Sequence, residues 1–111
     1  MYGDLNPEVV FLNRDNINIL QLQDDSAVPG VLADSDLTAA TKLGLVFDNL
    51  PVEYDPSLHP AVISYTPEGK VTVKLGGLGL PKGERTAYFV VYDGSNPLGI
   101  RWTPDLILTV I

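Results

Sequence analysis

The chain has 111 residues, no cysteine and a formal net charge of −7, with seven Lys and Arg against 14 Asp and Glu. The acidic balance argues against a groove for nucleic acid and against a polybasic membrane anchor, and the absence of cysteine excludes disulfides, thiolate metal sites and a cysteine nucleophile. The first residues lack a basic region followed by an apolar stretch, so we expect no signal peptide and no membrane partner.

The distribution of prolines and glycines predicts short strands instead of helices. Nine prolines leave few windows long enough for a stable helix, and the ten glycines are spread out as turn residues. Between these breaks, apolar and polar residues alternate with the two-residue period of β-strands. We predict the first strand over residues 8–12.

The second predicted strand, over residues 16–23, changes the face on which its apolar residues lie. Ile17 and Ile19 share one face, whereas Leu20 and Leu22 share the other. Because a flat strand cannot bury both pairs on one side, we predict a bulge or bend between Ile19 and Leu20.

Residues 36–40 are compatible with two local structures. Ser35 or Asp36 could cap a short helix that ends at Gly44. We favour a turn or a single helical turn, because the segment is short and leads directly into an alternating strand over residues 41–48.

A tight hairpin is predicted to join strands over residues 61–66 and 70–75. Gly69 supplies the positive φ that such a turn requires. The second of these strands alternates strictly between apolar and polar residues, which is typical of a half-buried strand.

The sequence of the last third of the chain predicts a connection that crosses between the two sheets and two further strands. Residues 76–83 are rich in glycine but lack the Lys-Ser/Thr pair and the following helix of a phosphate-binding loop. We interpret them as a crossing between sheets in which Leu78 and Leu80 close one end of the core. The stretch 86–92 is apolar on both faces and predicts a central strand, and the apolar stretch 106–111 must pair in a sheet of this chain or of a neighbour.

Together these segments predict an all-β fold. Seven or eight short strands at roughly ten-residue spacing indicate an immunoglobulin-like antiparallel β-sandwich. A small barrel is the alternative. Because the chain is long enough for one modest core, we expect a single β-sandwich domain over residues 1–111.

The titratable residues form no pattern typical of catalysis or metal binding. The single histidine, His59, has Ser57 nearby in a loop bracketed by prolines, and we interpret it as a surface histidine. Asp24-Asp25 and Asp34-Ser35-Asp36 could offer oxygen ligands to calcium, but their spacing does not fit an EF-hand loop, and solvated acidic turns are the favoured interpretation. We therefore predict no catalytic residue, no metal site and no cofactor.

Aromatic residues near the C-terminus suggest an interaction surface. Tyr88 and Tyr92 lie on one face of their predicted strand, and Arg101 and Trp102 follow after the next turn. Tyrosine, tryptophan and arginine are enriched at protein interfaces. These four residues are the candidate interaction surface, although for Trp102 the core tryptophan of a sandwich is the favoured interpretation.

Several segments carry turn and core motifs that recur together in one group of proteins. They are Phe11-Leu12-Asn13-Arg14-Asp15-Asn16, Asp36-Leu37-Thr38-Ala39-Ala40-Thr41-Lys42, Leu78-Gly79-Leu80-Pro81-Lys82-Gly83, Ala87-Tyr88-Phe89-Val90-Val91-Tyr92-Asp93 and Asn96-Pro97-Leu98-Gly99-Ile100-Arg101-Trp102. In this order they resemble small structural proteins of tailed bacteriophages and prophages. The layout is similar to the immunoglobulin-like domain at the start of phage baseplate upper proteins.

The resemblance implies a tail-associated structural component of a virion or prophage without enzymatic activity. The partners of such a component would be other phage structural proteins or further copies of itself. It would be located in the virion or in the bacterial cytoplasm. The alternative is a carbohydrate-binding or adhesion sandwich that uses Tyr54, Tyr65 or Trp102 as a stacking platform. An enzyme is the least favoured class, because the sequence shows no acid, base and nucleophile together.

Overall fold

The computed structural model of the chain describes residues 8–15, 17–25, 32–48, 53–103 and 106–111. In these ranges the chain forms strands and turns, and none of the described residues is helical. In chain order the strands are β1 (Glu8–Val10), β2 (Asn18–Gln21), β3 (Gln23–Asp25), β4 (Leu32–Asp34), β5 (Ala40–Phe47), β6 (Glu53–Tyr54), β7 (Ile63–Tyr65), β8 (Lys70–Val73), β9 (Gly83–Asp93), β10 (Asn96–Arg101) and β11 (Leu106–Val110).

Two sheets pack face to face around one core, which confirms the predicted all-β sandwich. The larger sheet has the order β1-β11-β9-β5-β6, and β10 also pairs with β9. The smaller sheet has the order β2-β8-β7, and β3 pairs with β4 in a separate two-stranded ribbon. The pairings are antiparallel, as predicted, except that β1 and β11 are parallel.

The described residues form eleven strands, more than the seven or eight predicted. One reason is that the strand predicted over residues 16–23 divides at Leu22, where the chain leaves β8 and begins to pair with β4. A second reason is that β6 and β10 lack the alternation on which the prediction relied. The immunoglobulin-like topology stays a prediction.

The bulge predicted in β2 is absent. The pairing of β2 with β8 runs without interruption along the strand. Regular alternation then buries Leu20 and Leu22 and leaves Ile17 and Ile19 exposed. The predicted bulge is wrong because the prediction assumed that every large apolar side chain must be buried. Instead, β2 keeps its backbone pairing, and Ile19 within it and Ile17 before it are exposed.

The core lies between the facing sides of the two sheets. Leu43, Leu45 and Phe47 point inward from β5, as their alternation predicts, and all three are buried. From the smaller sheet, Val71 and Val73 of β8 meet them in the same buried cluster.

Three predicted connections are confirmed. A turn at residues 38–39, within the predicted 36–40, leads into β5. The β7–β8 hairpin turns at Gly69, whose φ is +87°. The glycine-rich stretch crosses from β8 to β9, with Leu80 buried and Leu78 half-buried against the core.

The last strand is paired inside the chain. β11 lies between β9 and β1, so that Leu108 is opposite Arg85 on one side and Glu8 on the other. The apolar C-terminal segment therefore meets its requirement for pairing without a neighbouring molecule. β9 is the central strand that was predicted, since it contacts β5, β10 and β11.

Candidate interaction face

The outer side of the larger sheet carries the aromatic residues singled out in the sequence. β9 turns Ala87, Phe89 and Val91 toward the core, so that Tyr88 and Tyr92 point to the outer side. Both tyrosines are half-buried. We call the surface formed by Tyr88, Tyr92, Arg101, Lys42 and Glu53 the tyrosine face.

Tyr88 and Arg101 form one half of the tyrosine face. Arg101 lies opposite Val90 in the β9–β10 register, next to Tyr88 on the same side of the sheet. Its guanidinium carbon is 4.0 Å from the centre of the Tyr88 ring, a cation–π contact. Its Nε–H donates to the Thr103 carbonyl at 3.1 Å, which fixes the stacked position.

Tyr92 forms the other half together with two charged residues from neighbouring strands. Its hydroxyl donates to the Glu53 carboxylate, whose two oxygens lie 2.6 and 2.7 Å away. The Lys42 Nζ atom lies 4.2 Å from the centre of the Tyr92 ring. Burial raises the pKa of Tyr92 to about 12, and the hydrogen bond to Glu53 contributes to the same shift.

Two glycines make room for this arrangement. A Cβ atom on Gly44 would collide with the Glu53 carboxylate, so only glycine there lets Glu53 cross β5 to reach Tyr92. Gly99 of β10 has a φ of +82°, and a Cβ there would lie 2.7 Å from the Tyr92 ring. The ring of Tyr92 therefore packs directly on the backbone of β10.

Trp102 does not belong to the tyrosine face. Its indole N–H donates to the Ser35 hydroxyl at 3.0 Å, and its half-buried ring packs against the core. Its backbone N–H donates to the Phe89 carbonyl at 2.8 Å, which continues the pairing of β10 with β9. The structure thus brings together Tyr88, Tyr92 and Arg101 and assigns Trp102 to the core side, the other interpretation that the sequence allowed.

Sequence reasoning missed two members of the tyrosine face. Lys42 could have been found, because it is the outward residue that β-pairing sets opposite Tyr92. Glu53 could not have been found from the sequence, since the two-residue strand that carries it is too short to show alternation. Its contact with Tyr92 also depends on Gly44, which is distant in sequence.

None of the three aromatic residues of the alternative stacking platform is fully exposed. Tyr54, Tyr65 and Trp102 are each half-buried and pack against the core. Tyr54 also meets Phe47 edge to face, with ring centres 5.8 Å apart. These side chains therefore contribute to packing against the core.

His59 is half-buried, which differs from the surface position predicted for it. Its ring lies 4.8 Å from that of Tyr54, and its Nδ1 atom is buried without a hydrogen-bond partner. The nearby Asp55 carboxylate accepts from the backbone N–H groups of Ser57 and Leu58, at 2.9 and 3.1 Å. In the described part of the chain no hydrogen bond joins His59 to Ser57, so the two do not form a nucleophile–base pair.

Among the acidic residues considered for calcium, Asp36 makes hydrogen bonds within its own turn. Asp36 accepts from the backbone and the hydroxyl of Thr38, and these hydrogen bonds lower its pKa. Among the described residues, no group of three or more His, Asp or Glu side chains could hold a metal ion. The side chains of Asp24 and Asp25 lie outside the described part.

Comparison with protein-family models, with curated proteins and with solved structures found no match for this chain. The resemblance to phage structural proteins therefore stays a prediction that the motifs of the sequence support. Over the described ranges, no helix is long and apolar enough to cross a membrane.

Proposed function

We propose that this chain is a non-enzymatic structural or assembly protein of a phage or prophage virion, associated with the tail, that acts through protein–protein contacts. The observation that carries the proposal is the tyrosine face, on which two tyrosines are each stacked against a cation. Such combinations of tyrosine and arginine provide a large share of the binding energy at protein interfaces.

The contacts within the tyrosine face hold it in one conformation before any partner arrives. Glu53 and Lys42 fix the ring of Tyr92, and Arg101 fixes that of Tyr88. A surface that is ordered in advance loses little side-chain entropy on binding, so more of its contact energy contributes to affinity.

The charge of the tyrosine face indicates the chemistry of the partner. The chain as a whole is acidic, with a net charge of −7, yet this face presents the cationic groups of Lys42 and Arg101, and its Glu53 carboxylate already accepts from Tyr92. A partner surface with carboxylates at its rim fits this pattern, because complementary charge favours association and fixes the binding orientation.

The proposal is tested by mass spectrometry of purified virions or induced prophage particles from the bacterium that encodes the chain. We expect the protein in the particles, and in tails separated from heads. Its absence from particles that assemble normally would contradict the proposal.

A matched pair of charge reversals tests the role of the tyrosine face. We expect Arg101→Glu to reduce incorporation into particles at least several-fold, because it reverses the charge of the face and removes the stack on Tyr88. Lys82→Glu reverses one exposed positive charge in the crossing before β9 and should incorporate like the wild type. If the two variants are folded and are incorporated equally, the contact in the particle is made by another surface.

A further inference from the structure

A groove with two cationic residues lies at one end of the smaller sheet, and we call it the basic groove. Its volume is about 210 Å³, and its lining includes Arg14, Asp15, Val62, Lys74 and Leu78. This volume is several times the ~30 Å³ that one water molecule occupies in the liquid, so the groove has room for side chains of another molecule. Its two cations outnumber its one carboxylate although the chain carries a net charge of −7, which indicates an anionic occupant.

Backbone hydrogen bonds hold the walls of the basic groove. The Asn13 N–H donates to the Gly76 carbonyl at 2.8 Å, which sets the segment that carries Arg14 against the crossing after β8. The Lys74 N–H donates to the Val62 carbonyl at 2.8 Å, so the pairing of β7 with β8 continues as far as the groove. Because these walls are already ordered, an occupant would bind with little loss of backbone entropy.

The turn between β7 and β8 presents a carboxylate at the opposite end of the same sheet. Glu68 precedes β8 and Lys74 follows it, so the two residues lie at opposite ends of this strand. The Pro67 carbonyl accepts from the Leu37 N–H at 2.7 Å, and the Glu68 carbonyl accepts from the Gln21 side-chain amide at 2.9 Å. The backbone of the turn is thus held by its neighbours, while Pro67 and Glu68 are exposed.

The surface around this turn is acidic. Asp34 and Asp36 line the same hollow as Pro67 and Glu68, and both aspartates are exposed. One end of the smaller sheet therefore carries three carboxylates, whereas the other end carries the basic groove. Complementary charge of this kind attracts one end of a molecule to the opposite end of another copy and fixes the orientation of the contact.

We propose that copies of this chain associate head to tail, with the Pro67-Glu68 turn of one copy seated in the basic groove of the next. The carboxylate of the turn pairs with Arg14 and Lys74, and the proline ring packs on the apolar part of the groove. Because the two contacting surfaces differ, the contact is heterologous. Each added copy then offers a new turn or a new groove, so that association continues beyond the dimer.

Sedimentation velocity at increasing concentration tests the association. A turn seated in a groove buries less than the ~1,600 Å² of a standard interface, so measurements should extend to about 1 mM protein. We expect the average mass of the wild type to rise from 12.0 kDa and to pass twice that value. A wild type that stays monomeric would mean that the groove takes no second copy, and it would overturn the proposal. A mass that levels off at the dimer would overturn the head-to-tail arrangement.

Charge reversal on each side of the contact tests which surfaces meet. We expect Glu68→Lys and Lys74→Glu to stay monomeric when each is measured alone. An equal mixture of the two should associate again, because the unchanged turn of the Lys74→Glu chain fits the unchanged groove of the Glu68→Lys chain. Association of both single variants equal to that of the wild type, or a mixture that stays monomeric, would overturn the pairing of turn and groove.

Glu84→Lys and Lys82→Glu are the matched controls. They make the same two charge changes at exposed residues outside the contact and should associate like the wild type. If the controls lose association as completely as the test variants, the effect comes from net charge and the proposed contact is wrong. Circular dichroism verifies that each variant is folded. None of these residues belongs to the tyrosine face, so a negative result here leaves the proposed function intact.

Discussion

Tyr92 connects four strands through one side chain. It extends from β9, packs on the backbone of β10 at Gly99, and donates to Glu53 of β6 across Gly44 of β5. The Lys42 ammonium group lies over the Tyr92 ring, 4.2 Å from its centre. The order of the tyrosine face therefore depends on this residue more than on Tyr88.

The raised pKa of Tyr92 predicts a loss of stability in alkali. The ordinary tyrosine pKa is 10.0 and that of Tyr92 is about 12, so the unfolded chain releases this proton at lower pH than the folded chain. The contribution to the free energy of unfolding is complete below pH 10 and is lost as the pH rises through about 12.

The variant Tyr92→Phe isolates this contribution, since it removes one hydroxyl and keeps the ring. Urea unfolding at a series of pH values should show a steeper fall above pH 10 for the wild type than for Tyr92→Phe. Parallel stability curves for the two proteins would mean that the hydroxyl is not held in the folded state as described.

At the scale of elements, the β7–β8 hairpin depends on the conformation of its turn. Gly69 has a φ of +87°, and a Cβ atom there would lie 2.8 Å from the Ser35 carbonyl oxygen and 3.2 Å from that of Leu22. Both neighbours are backbone atoms that cannot rotate away. We expect Gly69→Ala to lower the free energy of unfolding by about 2 kcal/mol.

Gly77→Ala is the matched control for this prediction. A Cβ atom at Gly77 would meet nothing within 4 Å, so its substitution should change the free energy of unfolding by less than about 0.5 kcal/mol. Urea denaturation of the two variants measures the difference. Equal stability of both variants would contradict the role assigned to the turn.

The elements that were predicted correctly from the sequence are those that the pattern of a few neighbouring residues determines. The hairpin at Gly69 and the central strand β9 each follow from alternation and turn residues within a few positions. In β2 the same alternation was visible, but it could not tell which face is inside. That choice depends on the register with β8, which a single sequence does not contain.

In the whole molecule, the tyrosine face lies on the outer side of the larger sheet. Its residues come from four strands, β5, β6, β9 and β10. The contact of Glu53 with Tyr92 shows why such surfaces escape sequence reasoning, since it joins residues from distant segments through space left by Gly44.

Amine labelling of Lys42 shows whether the chain makes its contacts through the tyrosine face. Labelling of the free chain is compared with labelling of purified particles, with the exposed Lys82 as an internal reference. We expect the reactivity of Lys42 to fall several-fold in the particle while Lys82 remains reactive. If Lys42 is as reactive in particles that contain the protein as it is in the free chain, the tyrosine face is not the contact surface.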